Sequence, residues 1–303
     1  MPPSPRPSPL QEAQRTAGVT ITAGRAHGFF TDTTLCIGCK ACEVACKQWN
    51  QLPADGFDWT GLSYDNTRAL SATTWRHVRF VEQFEAERFE GGSGNAGEIP
   101  AEQWAAPGQR WLFLSDVCKH CVSAPCLEAC PTGAIIRTEF DSVYVQQDVC
   151  NGCGYCQAAC PFAVIAVDKD GDGKAHKCTL CYDRLKDGLE PACAKACPTD
   201  SIRFGPVDEL LARAGTRVDE LRVRGVPAYL YGSADAREEG CDTSELNGLN
   251  AFFLLIDRPE AYNLPRAPKR PSRNTAPGLL TAAVAGLALT AAMLLAFRGR
   301  SSA

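Results

Sequence analysis

Sixteen of the seventeen cysteines in this 303-residue chain fall into four tight groups, and their spacing constrains the fold more than any other feature. The first group is Cys36, Cys39, Cys42 and Cys46. The second is Cys118, Cys121, Cys126 and Cys130. The third is Cys150, Cys153, Cys156 and Cys160, and the last is Cys178, Cys181, Cys193 and Cys197. Three groups end in Cys-Pro, at Pro131, Pro161 and Pro198. A [4Fe–4S] cluster takes four Cys ligands, so sixteen thiolates in four sets have the capacity for four clusters. A chain with four such centres is built to move electrons.

Disulfides and structural zinc are the competing readings. A chain of this length, 45% hydrophobic, can bury a core without staples. Three cysteines within residues 36–42, and again within 150–156, are poorly placed to bridge one another. Zinc hooks use paired Cys-x-x-Cys units and have no use for a third, closely following Cys. The C-x2-C-x2-C-x3-C run of groups one and three is instead the bacterial ferredoxin pattern. Cys241 stands alone and is given no role.

In that pattern the fourth Cys ligates the neighbouring cluster. Between Cys130 and Cys150 the sequence reads as a Cys-Pro turn, a short hairpin (134–136 and 143–145) and the next ligand loop. Groups two and three therefore form one two-cluster module. The crossover assigns Cys118, Cys121, Cys126 and Cys160 to one cluster and Cys150, Cys153, Cys156 and Cys130 to the other. Groups one and four pair by exclusion, giving Cys36, Cys39, Cys42 and Cys197, then Cys178, Cys181, Cys193 and Cys46. Group four is stretched, with eleven residues between Cys181 and Cys193, and group one lacks the proline. Pro198-Thr199-Asp200-Ser201-Ile202 repeats the Cys-Pro-Thr-x-x-Ile pattern of residues 130–135, which suits a return strand. Gly38, Gly152 and Gly154 suit tight ligand loops or ordinary turns. Lys40, Lys119 and His120 sit between ligands, where solvated loop charges are the simpler reading and tuning of a cluster the other.

The expected fold is α+β: two ferredoxin-like two-cluster modules with inserted segments, plus a single C-terminal transmembrane helix. Residues 1–28 are a disordered tail, with Pro2, Pro3, Pro5, Pro7 and Pro9 at its start and no secretory h-region or Arg-Arg pair. Residues 29–46 and 178–204 make one module, and 118–177 the other. The insertion 47–117 holds two strands, at Trp75 to Val81 and Trp111 to Leu114, around a Gly91-Gly92-Ser93-Gly94 loop. Residues 205–264 form a scaffold. Helical spacing runs from Val207 to Ala214 and Val218 to Val223, and strands at 228–231 and 251–256. A basic linker (265–275) leads to the helix at 276–298 and a tail at 299–303. From Pro277 to Phe297 no charge appears for 21 positions, roughly 31 Å of helix at about 1.5 Å per residue, enough to span a bilayer core. Ala282, Gly286 and Thr290 lie four apart and suit close helix packing. The linker carries four basic residues and the end of the chain two, which by the positive-inside tendency puts the modules in the cytoplasm. The net charge of −4 makes nucleic acid an unsuitable partner.

The stretch from Cys36 to Asn50, Cys-Ile-Gly-Cys-Lys-Ala-Cys-Glu-Val-Ala-Cys-Lys-Gln-Trp-Asn, resembles the iron–sulfur (beta) subunit of membrane-bound formate dehydrogenase. Tyr64-Asp65-Asn66, Ser71-Ala72-Thr73-Thr74-Trp75, Lys177-Cys178-Thr179-Leu180-Cys181-Tyr182-Asp183-Arg184 and Asp257 to Pro265 extend the likeness from about residue 29 to the terminal helix. The resemblance implies a heteromeric complex. A catalytic subunit with a molybdenum or tungsten pterin oxidises formate, this chain passes electrons through four [4Fe–4S] clusters, and a membrane cytochrome b (gamma) subunit delivers them to quinone. It also implies the same pairing of cysteine groups, and cluster modules on the periplasmic face, exported by the catalytic subunit's signal.

The four-group pattern also occurs in the iron–sulfur subunits of dimethyl sulfoxide, polysulfide and related molybdenum reductases, the alternative reading. The sequence shows no nucleophile–base arrangement and no pterin or nucleotide fingerprint, so no catalytic residue is expected, and four scattered His residues argue against haem. An iron–sulfur sensor or a metal scaffold is the remaining class, but the chain has no recognisable output domain.

Overall fold

The computed structural model describes residues 20–298 apart from 55, 57–60, 62–64, 66, 84–109 and 234–240, with side chains of the last helix described over 278–294. The Pro-rich start, the Gly91–Gly94 loop and the tail 299–303 lie outside the described residues. The chain divides into two units, Met1–Pro268 and Lys269–Ala303.

The first unit runs β1 (His27–Asp32), α1 (Ala41–Asn50), β2 (Arg76–Gln83), β3 (Arg110–Val117), α2 (Pro125–Glu128), β4 (Ile135–Arg137), β5 (Val143–Val145) and α3 (Tyr155–Ala159). It continues with β6 (Ala166–Val167), β7 (Ala175–His176), α4 (Tyr182–Lys186), α5 (Ala192–Lys195), β8 (Ile202–Pro206), α6 (Val207–Val223), β9 (Tyr229–Tyr231) and β10 (Ala251–Leu255). The hairpin β4–β5, the strands β2, β3, β9 and β10, and the helical stretch after residue 206 fall where hydrophobic patterning puts them. The two helical segments join into one 17-residue helix.

A four-stranded sheet of order β8-β1-β10-β9 forms the centre. β1 runs parallel to β10, with Phe29 opposite Ala251, and antiparallel to β8, with Phe29 opposite Phe204. A strand covered on both faces reads as a continuous apolar run, and all five residues of Ala-Phe-Phe-Leu-Leu in β10 are buried. Alternation sends successive side chains to opposite faces. Phe30, Phe252 and Leu254 meet α6, whose Leu210, Ala214, Val218 and Leu221 recur at helical period on one face. Phe29 and Ala251 face the other way, onto Val78, Val117 and the thiols of Cys42, Cys118, Cys178 and Cys193. Phe253 and Leu255 join Leu114, Tyr231, Cys121, Cys126 and Cys156. One face of the sheet thus carries a helix and the other carries the cysteine loops.

β1 begins at His27, inside the stretch expected to be tail, and all six of its residues are buried. Its charged end is compensated: Asp32 meets Arg217 of α6 at 2.9 Å and accepts from the Thr34 hydroxyl at 2.6 Å. β2 and β3 make a separate antiparallel ribbon, with Phe80 opposite Phe113. Where it meets α1, His77 is buried between two carboxylates, 3.0 Å from Asp65 and 3.5 Å from Glu43. Burial works against the His77 cation, but the facing carboxylates of Asp65 and Glu43 outweigh it and hold the imidazolium above its ordinary 6.5.

The second unit contains the 24-residue helix α7 (Thr275–Arg298). The Thr290 hydroxyl donates to the Gly286 carbonyl at 2.7 Å. Among the described residues no helix is long and apolar enough to cross a membrane; the described side chains of α7 stop at 278 and 294.

Two outcomes follow from this packing. Leu254 is fully buried against α6. Leu254→Ala should lower unfolding stability by about 2–5 kcal/mol, read from the denaturant midpoint under anaerobic conditions. The His77 bridge stabilises the fold fully below the unfolded value of 6.5 and is lost as pH rises through the raised folded value. The wild-type midpoint should therefore fall over that alkaline window, and His77→Gln should flatten this part of the profile.

Candidate metal centres

Two hairpins and the central sheet bring the cysteine groups together. β1 ends just before Cys36 and β8 begins just after Cys197, and their pairing sets Thr31 opposite Ile202. The join is reinforced by the Asp32 amide donating to the Ser201 carbonyl at 2.8 Å and the Ser201 hydroxyl donating back to the Asp32 carbonyl at 2.7 Å. Groups one and four, remote in sequence, are adjacent for this reason. The β4–β5 hairpin returns the chain from Cys130 to Cys150, with Ile135 opposite Val145. The β6–β7 hairpin carries it from Cys160 back to Cys178, with Ala166 opposite His176.

The result is four quartets of thiols. Cys36, Cys39, Cys42 and Cys197 line one small cavity. Cys118, Cys121, Cys126 and Cys160 line a second, and Cys130, Cys150, Cys153 and Cys156 a third. Three cavities each lined by four thiols call for one kind of occupant. In the fourth quartet Cys46 lies within Coulombic reach of Cys178, Cys181 and Cys193. All sixteen sequence-selected cysteines are thus brought into sets of four, and all seventeen are free thiols rather than disulfides. Cys241 is buried in the apolar core, where burial pushes its thiol up to about 11.

Neighbouring quartets meet in a row. Cys42 of the first lies near Cys193 of the fourth, Cys178 of the fourth near Cys118 of the second, and Cys126 of the second near Cys156 of the third. Cys39 and Cys153, in the two end quartets, are the exposed members.

The electrostatics of these cavities fit a metal core. Burial, with repulsion from neighbouring thiolates, pushes Cys42, Cys126 and Cys178 up to about 12 and Cys156 up to about 11. Four crowded thiols of this kind ionise together only around a cation, and a metal core supplies one. Hydrogen bonds point at the sulfurs: the Leu180 amide to Cys178 at 3.4 Å, the Ala175 amide to Cys150 at 3.5 Å, and the Ser115 hydroxyl 3.2 Å from Cys42. At half-exposed Cys130 burial opposes ionisation, yet hydrogen bonds from Thr132, Ile135 and Ala134 outweigh it and lower the thiol.

Sequence reasoning missed part of the surroundings. Lys119 and His120, read as solvated loop charges, are fully buried, and burial holds His120 well below its ordinary value. Lys119 pairs with Asp116 and lies over the rings of Phe162 and Phe253. Lys40 is only partly exposed, 3.6 Å from both Glu43 and Asp65. Arg76 and Lys177, buried beside the thiols, carry no spacing signal that would single them out. Gly152 is a true tight approach. It has φ of +72°, and a Cβ there would lie 2.0 Å from the Gly173 carbonyl oxygen.

Comparison with known proteins agrees with this geometry. Residues 35–134 and 109–207 each match a 4Fe-4S dicluster domain family. The chain is 39% identical over 244 residues to the formate dehydrogenase iron-sulfur subunit of Haemophilus influenzae, covering 78% of this chain and 68% of that protein. It is 39% identical over 243 residues to the iron-sulfur subunit of the nitrate-inducible formate dehydrogenase of Escherichia coli, covering 78% and 72%. It is 32% identical over 189 residues to the B subunit of the anaerobic dimethyl sulfoxide reductase of Escherichia coli, covering 62% and 78%. The chain belongs to the family of formate dehydrogenase iron–sulfur subunits and is an electron-transfer protein carrying four [4Fe–4S] clusters.

Proposed function

We propose that this chain is the electron conduit of a formate dehydrogenase complex, lying between a molybdenum- or tungsten-pterin catalytic subunit and a membrane cytochrome b. The observation that carries the reading is the row of four thiol quartets with an exposed cysteine at each end. Cys36, Cys39, Cys42 and Cys197 hold the first cluster; Cys118, Cys121, Cys126 and Cys160 the second; Cys150, Cys153, Cys156 and Cys130 the third; and Cys178, Cys181, Cys193 and Cys46 the fourth. Bound clusters supply reversible one-electron uptake and release.

The protein's own work is to hold, insulate and bias these sites. Val78, Leu180, Ile202 and Phe204 keep water from the inner cysteines. Amide and hydroxyl donors at Cys42, Cys150 and Cys178 favour the more negative state of each site. Opening at Cys39 and Cys153 leaves one sulfur of each end quartet accessible to a partner.

Helix α7 is the proposed membrane anchor. Its support is the sequence, which carries no charge over the 21 positions from Pro277 to Phe297, and Leu279, Leu280, Val284, Leu287 and Leu294 are exposed along the described part of the helix. The periplasmic side is proposed for the cluster modules, with the catalytic subunit's signal directing export of the assembled complex.

The complex, purified anaerobically, should contain sixteen irons per copy of this chain beyond those of its partners and should reduce a viologen dye with formate. A complex that ignores formate and turns over dimethyl sulfoxide would replace the proposed partner. Gly152→Ala should displace the Gly173 turn, lower the iron content by about four per chain, and remove the paramagnetic signal of the third cluster while the others remain.

A further inference from the structure

The junction between the first and fourth quartets holds an unusual cation. Arg76 opens β2 and is only 1% exposed. Its Nη1 donates to the Ser115 hydroxyl at 2.9 Å, and the guanidinium lies 4.8 Å from the centre of the Phe29 ring. The other two nitrogens, Nε and Nη2, are buried and have no hydrogen-bond partner. An unsatisfied buried donor is costly, and an unpaired buried charge more so. The groups within electrostatic reach that become anionic when liganded are the thiols of Cys193, Cys42, Cys178 and Cys46. Two of the quartets therefore share one fixed charge, and Ser115 ties it to Cys42 Sγ at 3.2 Å. Arginine suits the position because it stays charged and presents planar donors.

We propose that Arg76 is a positioning residue that sets the reduction potentials of the first and fourth clusters together. Its charge and the N–H groups of its two unpartnered nitrogens stabilise the reduced state at both sites. Each reduction adds one electron and one negative charge to the liganded site and moves no proton to Arg76. The thiols on which Arg76 acts most, Cys36, Cys42, Cys46 and Cys178, belong to the first and fourth quartets; it also reaches His120 beside the second, but other charges dominate at Cys121, Cys126, Cys160 and Cys156. The inference rests on the ligand assignment proposed above, and iron analysis tests that assignment separately.

The test uses the full chain in its anaerobically purified complex, titrated with dithionite through redox mediators and followed by electron paramagnetic resonance. In Arg76→Gln, with sixteen irons retained in this chain, two of its four midpoint potentials should fall. The expected fall is at least tenfold in the reduction equilibrium, about 59 mV for one electron, and the other two should hold. Four unchanged potentials, or four that fall equally, would overturn the proposal. If Arg76→Gln loses iron, the unsubstituted protein decides. Grown with ¹⁵N-arginine and partly reduced, it should show a nitrogen hyperfine coupling on the signal of the first or fourth cluster, absent from Arg76→Lys. No arginine coupling on either signal would equally sink the idea. A merely structural role would move iron content and melting temperature but not two potentials selectively.

Discussion

Negative charge held away from water is the constraint on which the rest of this structure depends. A thiol in an apolar cavity resists ionisation, and four in one cavity resist it collectively. A metal core overcomes that resistance, but the liganded site still places anionic sulfur in the interior, where uncompensated charge is expensive. The fold answers with donors and cations. Backbone amides reach Cys150 and Cys178. Arg76, Lys119 and Lys177 are buried beside the quartets. Asp116 neutralises Lys119. Lys177 instead donates to the carbonyls of Val143 and Cys178, and Cys118, Cys126 and Cys178 are the thiols within its electrostatic reach. A cation thus sits at the first–fourth junction and another at the fourth–second junction.

The same constraint explains the topology. Each quartet needs loops from two places in the chain, because three closely spaced ligands cannot close around a core without a fourth from elsewhere. Short hairpins meet this need within groups two and three. Groups one and four are separated by the whole second module, so a local hairpin cannot join them. The parallel pair β1–β10 and its antiparallel neighbour β8 do so instead. The scaffold segment is therefore part of the site's construction: Phe253 and Leu255 of β10 pack on one module and Ala251 on the other.

Legibility in the sequence follows the chemistry. The cysteines are readable because ligand spacing is dictated by the core they surround, and the crossover pairing follows from that spacing. β2 is readable from apolar alternation, β3 and β10 from short apolar runs, and the β4–β5 hairpin from apolar stretches on either side of a turn. β1 is not. His27-Gly28-Phe29-Phe30-Thr31-Asp32 ends in polar residues, and its strand character comes from β10, more than two hundred positions away. The buried state of Lys119 and His120 is hidden for a similar reason: between two cysteines a charged residue looks like loop. Only the overlying Phe162 and Phe253 and the pairing with Asp116 take Lys119 out of water.

Arg76 shows how closely electron transfer and folding are joined here. It begins the β2–β3 ribbon, opposite Val117, immediately before Cys118. Its ring partner Phe29 belongs to β1, and its hydroxyl partner Ser115 belongs to β3 and also meets Cys42. The guanidinium therefore touches the sheet and the ribbon and, through Ser115, is tied to a ligand loop. In an empty chain this position would oppose folding, since two donors and a full charge lack compensation. Once the thiols beside it are ionised around a core, the same charge becomes favourable. Loading of the sites and closure of this core thus reinforce each other: the charge that biases the finished sites is tolerable in the interior only when those sites are filled.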